Sequence, residues 1–113
     1  MTGSGEENGL QFDEELASEL VGSLVLVGMT FLTAGEKFES AEQFFGRVLK
    51  ADKRDGVYLQ LEGSRSGEFY NLPPDTRSFK HADPGEYRLR STGETVVDPD
   101  FLCTWTITRP RRQ

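Results

Sequence analysis

The sequence predicts a mainly β protein, a small antiparallel barrel that carries a short N-terminal helix. Apolar and polar residues alternate over residues 57–62, which is typical of a strand with one buried face. Similar short segments follow one another at hairpin spacing, and 12 glycines and 5 prolines provide the turns between them. The chain has 113 residues, of which 35% are hydrophobic, and this suffices for one modest core.

We expect one folded domain with a tail at each end. Residues 1–11 are small, polar and rich in glycine, so they are predicted to be a disordered tail. Residues 12–110 are predicted to form the single β-barrel domain, and residues 111–113 a short tail.

The helix is predicted over residues 13–22. Asp13 is suited to the N-cap, and Glu14 and Glu15 follow it in the first turn, where the helix dipole favours acidic side chains. Apolar residues then recur at helical spacing until Gly22, which is expected to end the helix. We expect the apolar stripe of this helix to pack against the barrel.

The strands follow from runs of β-branched and alternating residues. They are predicted over residues 24–33, 38–49, 57–62, 68–72, 87–90 and 101–108. The second strand is expected to be interrupted near Phe44 and Phe45, because two adjacent aromatic residues break the alternation and Gly46 permits a bulge or a barrel corner.

Three further features complete the predicted fold. Pro73 and Pro74 end the fourth strand, because neither residue can donate a backbone hydrogen bond. Residues 75–79 are predicted to form one helical turn with Phe79 directed inward. On the last strand, Cys103 and Trp105 share the inward face with Ile107.

A leading helix followed by short strands at hairpin spacing is typical of SH3-like barrels. Gly46, Val48, Asp52 and Leu59 stand at the spacings of the first motif of Sm-like proteins, so the chain resembles that family in this stretch. The resemblance implies an Sm-like topology. It does not extend to RNA binding or ring assembly, because Gly56 stands where the family has an asparagine that contacts RNA and the family's second motif is not visible.

A second resemblance covers more of the chain. Residues 72–79, 84–94 and 97–100 are similar to segments of a family of small, uncharacterised bacterial proteins. That family has no established activity, so the resemblance implies only a bacterial cytosolic protein.

Composition narrows the partners that we expect. The net charge of −6 disfavours binding to nucleic acid, whose phosphates would be repelled, and suits a protein partner with a basic face. The single cysteine fits the reducing cytoplasm. No apolar run approaches the length of a membrane span, and the N-terminus lacks the features of a signal peptide. The sequence does not predict an oligomeric state.

No group of residues predicts catalysis, a cofactor or a metal site. His81 and Cys103 are the only strong soft or borderline metal ligands, and Cys103 is expected to be a buried, inert thiol. Asp98 and Asp100, with Glu94, have oxygens that suit a hard cation, but their spacing matches no known loop and favours a role in shaping turns.

Aromatic residues are the strongest functional candidates. Adjacent pairs on a strand force one member outward, and an outward aromatic patch marks a binding surface. The candidate partner-binding residues are Phe44, Phe45, Tyr58, Phe69 and Tyr70. Alternatively, the helix or the segment 73–100 covers this patch.

The favoured expectation is therefore a cytoplasmic protein-interaction or adaptor module that uses exposed aromatics or a strand edge. Two alternatives stay open. One is an Sm-like nucleic-acid-binding protein. The other is a small-ligand-binding protein or enzyme, with a pocket lined by Arg88 or Arg90 and the acidic residues at 94, 98 and 100.

Overall fold

The structure is a computed structural model that describes residues 11–110. It is mainly β, with one short α-helix, α1 (Glu14–Leu20). The strands are β1 (Leu24–Leu32), β2 (Phe38–Asp52), β3 (Gly56–Leu61), β4 (Phe69–Leu72), β5 (Phe79–His81), β6 (Glu86–Arg88), β7 (Thr95–Val97) and β8 (Phe101–Thr108). Two short 3₁₀ turns occupy Gly63–Arg65 and Thr76–Ser78. The predicted tails at residues 1–10 and 111–113 lie outside the described residues.

Six strands form one open sheet in the order β4-β3-β2-β1-β8-β5, and β6 pairs with β7 in a separate hairpin. The predicted closed barrel is wrong, because β4 and β5 are free edges of the sheet within residues 11–110. The prediction of an antiparallel sheet is also corrected at one place, since β8 runs parallel to β1 while the other pairs are antiparallel.

Asp100 explains why β8 enters the sheet parallel to β1. Its carboxylate accepts a hydrogen bond from the backbone N–H of Leu24 at 2.9 Å, and its own N–H donates to the Leu24 carbonyl at 2.8 Å. These two bonds place the first residues of β8 beside the first residues of β1. The long segment between β4 and β8 makes this return possible, because parallel strands need a crossover connection.

Asp13 caps α1, as predicted. Its carboxylate oxygen accepts hydrogen bonds from the backbone N–H groups of Glu15 at 2.9 Å and Leu16 at 3.2 Å, which the helix itself leaves unpaired. The helix is shorter than predicted, because Val21 is already extended and Gly22 has a φ of 86°. Its buried Leu20 belongs to the main core, so the helix packs against the sheet.

The sheet has an inner face, which carries the main core, and an outer face. Inward side chains alternate along each strand, as in Val25 and Val27 of β1 or Val57 and Leu59 of β3. Phe79 follows the second 3₁₀ turn and is buried, which confirms the predicted inward turn. Its ring packs edge to face against Trp105 with centroids 6.5 Å apart.

The predicted interruption of β2 near Phe44 and Phe45 is wrong. Phe44 points to the core and Phe45 points outward, so the two rings follow the ordinary alternation of a continuous strand. The irregular register lies instead at Leu49, between Val48 and Lys50. Gly46 is required for close packing, because a Cβ atom there would lie 2.5 Å from the carbonyl oxygen of Gln60 on β3.

The hairpin of β6 and β7, residues 86–97, lies over the outer face. Gln43 of β2 accepts a hydrogen bond from the N–H of Arg90 at 2.6 Å, and Glu94 accepts one from the N–H of Ser64 at 2.7 Å. Leu89 and Val96 of the hairpin are buried although neither belongs to the main core. The hairpin therefore forms a second, small apolar layer on the outer face.

Candidate binding surface

The most exposed ring pair of the sheet is formed by Tyr58 of β3 and Phe69 of β4. Their centroids are 5.6 Å apart and their planes differ by 5°, so the rings stack. Tyr58 is 38% exposed and Phe69 is 51% exposed. Stacked aromatic rings that stay open to water present apolar area in a fixed orientation, which suits a binding surface.

Strand register explains how these two rings meet. Tyr58 lies between the buried Val57 and Leu59, so it points to the outer face. Phe69 pairs with Gln60, which is the next outward residue of β3. The two rings are therefore diagonal neighbours on one face of an antiparallel pair, a distance that aromatic side chains can bridge.

The stack lies beside a free edge of the sheet. Leu61 donates its N–H to the carbonyl of Glu68 at 2.9 Å, and hydrogen-bonded pairs then recur at every second residue of an antiparallel ladder. Tyr70 and Leu72 consequently pair with β3, while the backbone N–H and C=O groups of Phe69 and Asn71 point away from it. These groups form an open edge that another strand can join.

A shallow pocket of about 280 Å³ adjoins the stack, lined by Lys50, Asp55, Gly56, Tyr58 and Asn71. The Lys50 ammonium group donates to Asp55 at 3.1 Å and contacts Asp52 at 3.4 Å, and these carboxylates raise its pKa. The Asn71 amide donates to the Asp55 carbonyl at 2.8 Å. The polar groups of this pocket are thus largely satisfied within the chain.

Phe44 and Tyr70 do not belong to the exposed surface. Phe44 is 2% exposed, and its ring lies 4.9 Å from the ring of Tyr70. The Tyr70 hydroxyl contacts the sulfur of Met29 at 3.2 Å, and the Arg65 guanidinium stacks 4.9 Å from the centre of the Phe44 ring. The exposed position assumed for Phe44 is therefore wrong, because its strand directs it inward.

Phe45 points outward but lies against other residues. A Cβ atom at Gly63 would lie 2.6 Å from the Phe45 ring and would also meet the carboxylate of Glu94. Phe45 is thus packed between the turn at residues 63–65 and the hairpin. Of the five predicted residues, the structure brings only Tyr58 and Phe69 together in the open.

The other predicted groups have structural roles. Burial raises the pKa of the Cys103 thiol to about 12, so the thiol is neutral at physiological pH. Asp98 accepts a hydrogen bond from the N–H of Gly85 at 2.7 Å, and so shapes a turn. His81 is exposed and lies 3.1 Å from Glu19.

Comparison with protein-family models, curated proteins and solved structures finds no match. Within residues 11–110, no three His, Cys, Asp or Glu side chains converge in a way that suits a metal ion. The same part of the chain contains no helix of the length and apolar character needed to cross a membrane.

Sequence reasoning did not predict a second and larger pocket, of about 400 Å³, on the outer face beside the hairpin. Its floor includes Gly28 and Thr30 of β1, and Arg90 and Ser91 form part of its wall. The signal in the sequence is the run of small outward residues on neighbouring strands, but it takes the sheet order and the position of the hairpin to bring them together.

Proposed function

We propose that this protein is an interaction module that binds an extended segment of another protein along the free edge of β4. The observation that carries this proposal is the stacked Tyr58–Phe69 pair beside an edge whose backbone groups are unpaired within residues 11–110. Strand addition of this kind takes affinity from main-chain hydrogen bonds and specificity from the side chains that flank them.

The geometry of the edge supports this mode of binding. A strand that pairs with Phe69 and Asn71 places its own outward side chains next to the aromatic stack. The bound strand would then shield the stack from water. Burial of two half-exposed rings adds a favourable hydrophobic term to the free energy of binding, beyond that of the main-chain hydrogen bonds. The opposite edge, β5, is only three residues long and carries Lys80, a residue that discourages edge pairing.

Charge defines the partner further. The chain has a net charge of −6, and complementary charge speeds association and excludes wrong partners. We therefore expect a partner segment that combines β-branched or aromatic residues with lysine or arginine. The proposed setting is the cytoplasm of a bacterial cell, which is supported by the single cysteine and by the resemblance to small bacterial proteins.

Selection from a display library of short random peptides tests the proposal. Enriched peptides are titrated into the ¹⁵N-labelled full-length protein, and we expect the largest amide shifts at Phe69 and Asn71. Phe69→Ala and Tyr58→Ala should each weaken binding by about tenfold or more, because central aromatic contacts dominate such interfaces. The fold should survive both changes, since these side chains lie outside the core.

Phe38→Ala is the matched control. Phe38 is 68% exposed at the start of β2 but takes no part in the stack, so its removal should leave peptide binding unchanged. The proposal fails if Phe69→Ala and Phe38→Ala have the same effect on binding. It also fails if the selected peptides shift amides far from β4, or if they bind as helices.

The nucleic-acid alternative has less support. The SH3-like or Sm-like topology stays a prediction, and the open sheet and the parallel β1–β8 pair do not favour it. Several basic side chains are neutralised by nearby acids, as Arg47 is by Glu62 and Arg65 is by Glu42 and Glu68. A mobility-shift assay with RNA at low salt should therefore show no complex.

A further inference from the structure

The pocket on the outer face is separate from the β4 edge. Its floor is formed by three neighbouring strands, β2, β1 and β8, and its wall by the loop of the hairpin. A volume of about 400 Å³ lies within the range of small-molecule sites in proteins. Residues from four different parts of the chain thus enclose a cavity large enough for a small organic ligand.

The wall of this pocket is held in place. Besides the bond from Arg90, the side-chain oxygen of Gln43 accepts a weaker one from the N–H of Ser91 at 3.4 Å. On the far side of the loop, Glu94 accepts hydrogen bonds from the N–H of Ser64 at 2.7 Å and from its hydroxyl at 3.1 Å. Leu89, next to Arg90 in the chain, is fully buried. The pocket is therefore preformed, which lowers the cost of ligand binding.

Gly28 gives the floor its depth. A Cβ atom at this position would meet only the methyl group of Thr104, at 3.8 Å, so neither packing nor a positive φ requires glycine here. A glycine inside a strand is destabilising relative to alanine. The residue thus lowers stability and keeps the middle of the pocket open. Thr30, Thr104 and Thr106 surround it with methyl and hydroxyl groups.

Arg90 supplies the positive charge, and the other charged lining residue, Glu42, is paired with Arg65 at 3.3 Å. Five of the seven described arginines form an ion pair within residues 11–110, and Arg88 and Arg90 are the two that do not. Of these two, only Arg90 lines the pocket. Arg90 has no carboxylate partner within residues 11–110, and it lines a cavity in an otherwise acidic protein. It is therefore suited to a bidentate bond with a ligand carboxylate.

We infer that this pocket binds a small organic acid, whose carboxylate pairs with Arg90 and whose apolar body lies on the floor at Gly28. The three threonines provide methyl groups for that body and hydroxyl groups for any polar substituent. This inference does not depend on the proposed protein partner, because the two sites share no lining residue.

Titration of the ¹⁵N-labelled full-length protein tests the inference. The probes are benzoate and hexanoate, with benzamide and hexanamide as uncharged molecules of the same shape and inorganic phosphate as an anion without an apolar body. We expect saturable shifts at the amides of Gly28, Thr30, Ser91 and Thr104 with at least one acid. The acid should bind about tenfold or more tightly than its amide, because only the acid can form a hydrogen bond between two charged groups with Arg90.

Two matched variants identify the groups responsible. Arg90→Gln should weaken acid binding by about tenfold or more, whereas Arg88→Gln, which removes the same charge from the same hairpin, should leave it unchanged. Gly28→Val should abolish binding by filling the floor. Gly28→Ala keeps the fold in any case, because its Cβ atom fits, and should weaken binding by a smaller factor.

Four results would overturn the inference. The first is the absence of saturation by either acid at about 20 mM, which is far above useful affinities. The second is equal affinity for acid and amide, which removes the role of the charge. The third is an equal loss in Arg88→Gln and Arg90→Gln, which indicates diffuse attraction. The fourth is phosphate binding as tight as that of the acids, which indicates a bare anion site.

Discussion

The outer face of the sheet is covered in one half and open in the other, although the strands beneath follow the same pattern. Phe45 on β2 and Tyr58 on β3 both point outward, because side chains alternate along each strand. Phe45 is packed under the hairpin and the turn at residues 63–65. Tyr58 stacks on the ring of Phe69 and stays 38% exposed.

The two halves differ in the sequence separation between the residues whose contacts shape them. The bond between Arg90 and Gln43 joins residues 47 positions apart, and that between Glu94 and Ser64 joins residues 30 positions apart. The stack needs only the pairing of two successive strands. Coverage of an outward aromatic residue is therefore decided by long-range contacts, and alternation alone does not predict it.

Removal of the apolar contact under the hairpin should reduce the contrast between the covered half and the open half more than the other changes below. Leu89 is fully buried, so Leu89→Ala should lower the free energy of unfolding by about 2–4 kcal/mol, through lost burial and the cavity left behind. Denaturant-induced unfolding measures the change. The hairpin should loosen as a result, and the covered half should then exchange its amide hydrogens as fast as the open half.

Val97→Ala is the control for that change. Val97 belongs to the same hairpin but is 57% exposed, so its truncation should alter the free energy of unfolding by less than about 0.5 kcal/mol. Equal losses in the two variants would contradict a buried layer beneath the hairpin. They would mean that the hairpin rests on the sheet without adding to its stability.

The sequence predicted the local features of this fold well. Asp13 caps the helix because the interaction needs only neighbouring residues, and the last strand covers the predicted residues because its alternation is long and regular. Phe44 and Phe45 are both candidates from the sequence, because an adjacent pair directs one ring outward and alternation alone does not show which. A continuous strand accommodates both of them, one on each face.

The long-range features were beyond sequence reasoning for a physical reason. The parallel entry of β8 depends on the two bonds between Asp100 and Leu24, which are 76 positions apart. The pocket at Arg90 depends on the same return of the chain, because its floor combines β1, β2 and β8. Arg90 was named as a possible ligand-binding residue, but not with the neighbours that the structure gives it.

A glycine substitution at the junction of the two halves should have an intermediate effect. Gly63 has a φ of 69°, and a Cβ atom there would meet both the Phe45 ring and Glu94. We expect Gly63→Ala to lower the free energy of unfolding by about 2–3 kcal/mol, from backbone strain and from displacement of these two groups. Thermal or denaturant unfolding measures the loss.

Gly67→Ala separates strain from packing. Gly67 also has a positive φ, of 97°, but a Cβ atom there would meet nothing within 4 Å. Gly67→Ala should therefore lower the free energy of unfolding by about 1 kcal/mol, from backbone strain alone. If the two alanine variants were equally stable, the turn at residues 63–65 would not be packed against the covered half, and the contrast with the open half would weaken.

Acid should slightly loosen the contact between the hairpin and the turn at residues 63–65. A hydrogen bond from Thr92, followed by those from Ser64, lowers the pKa of Glu94 below its usual value. A carboxyl group whose pKa is lower in the folded state stabilises that state above its unfolded pKa, near 4.5, and this contribution is lost as the pH falls through the lowered value. The amide signal of Ser64 should therefore shift between neutral pH and pH 3. Glu94→Gln should remove the shift at Ser64, and Glu86→Gln, which removes the same charge from the same hairpin, should retain it. A Ser64 signal that still titrates in Glu94→Gln would show that another group holds the hairpin to the sheet.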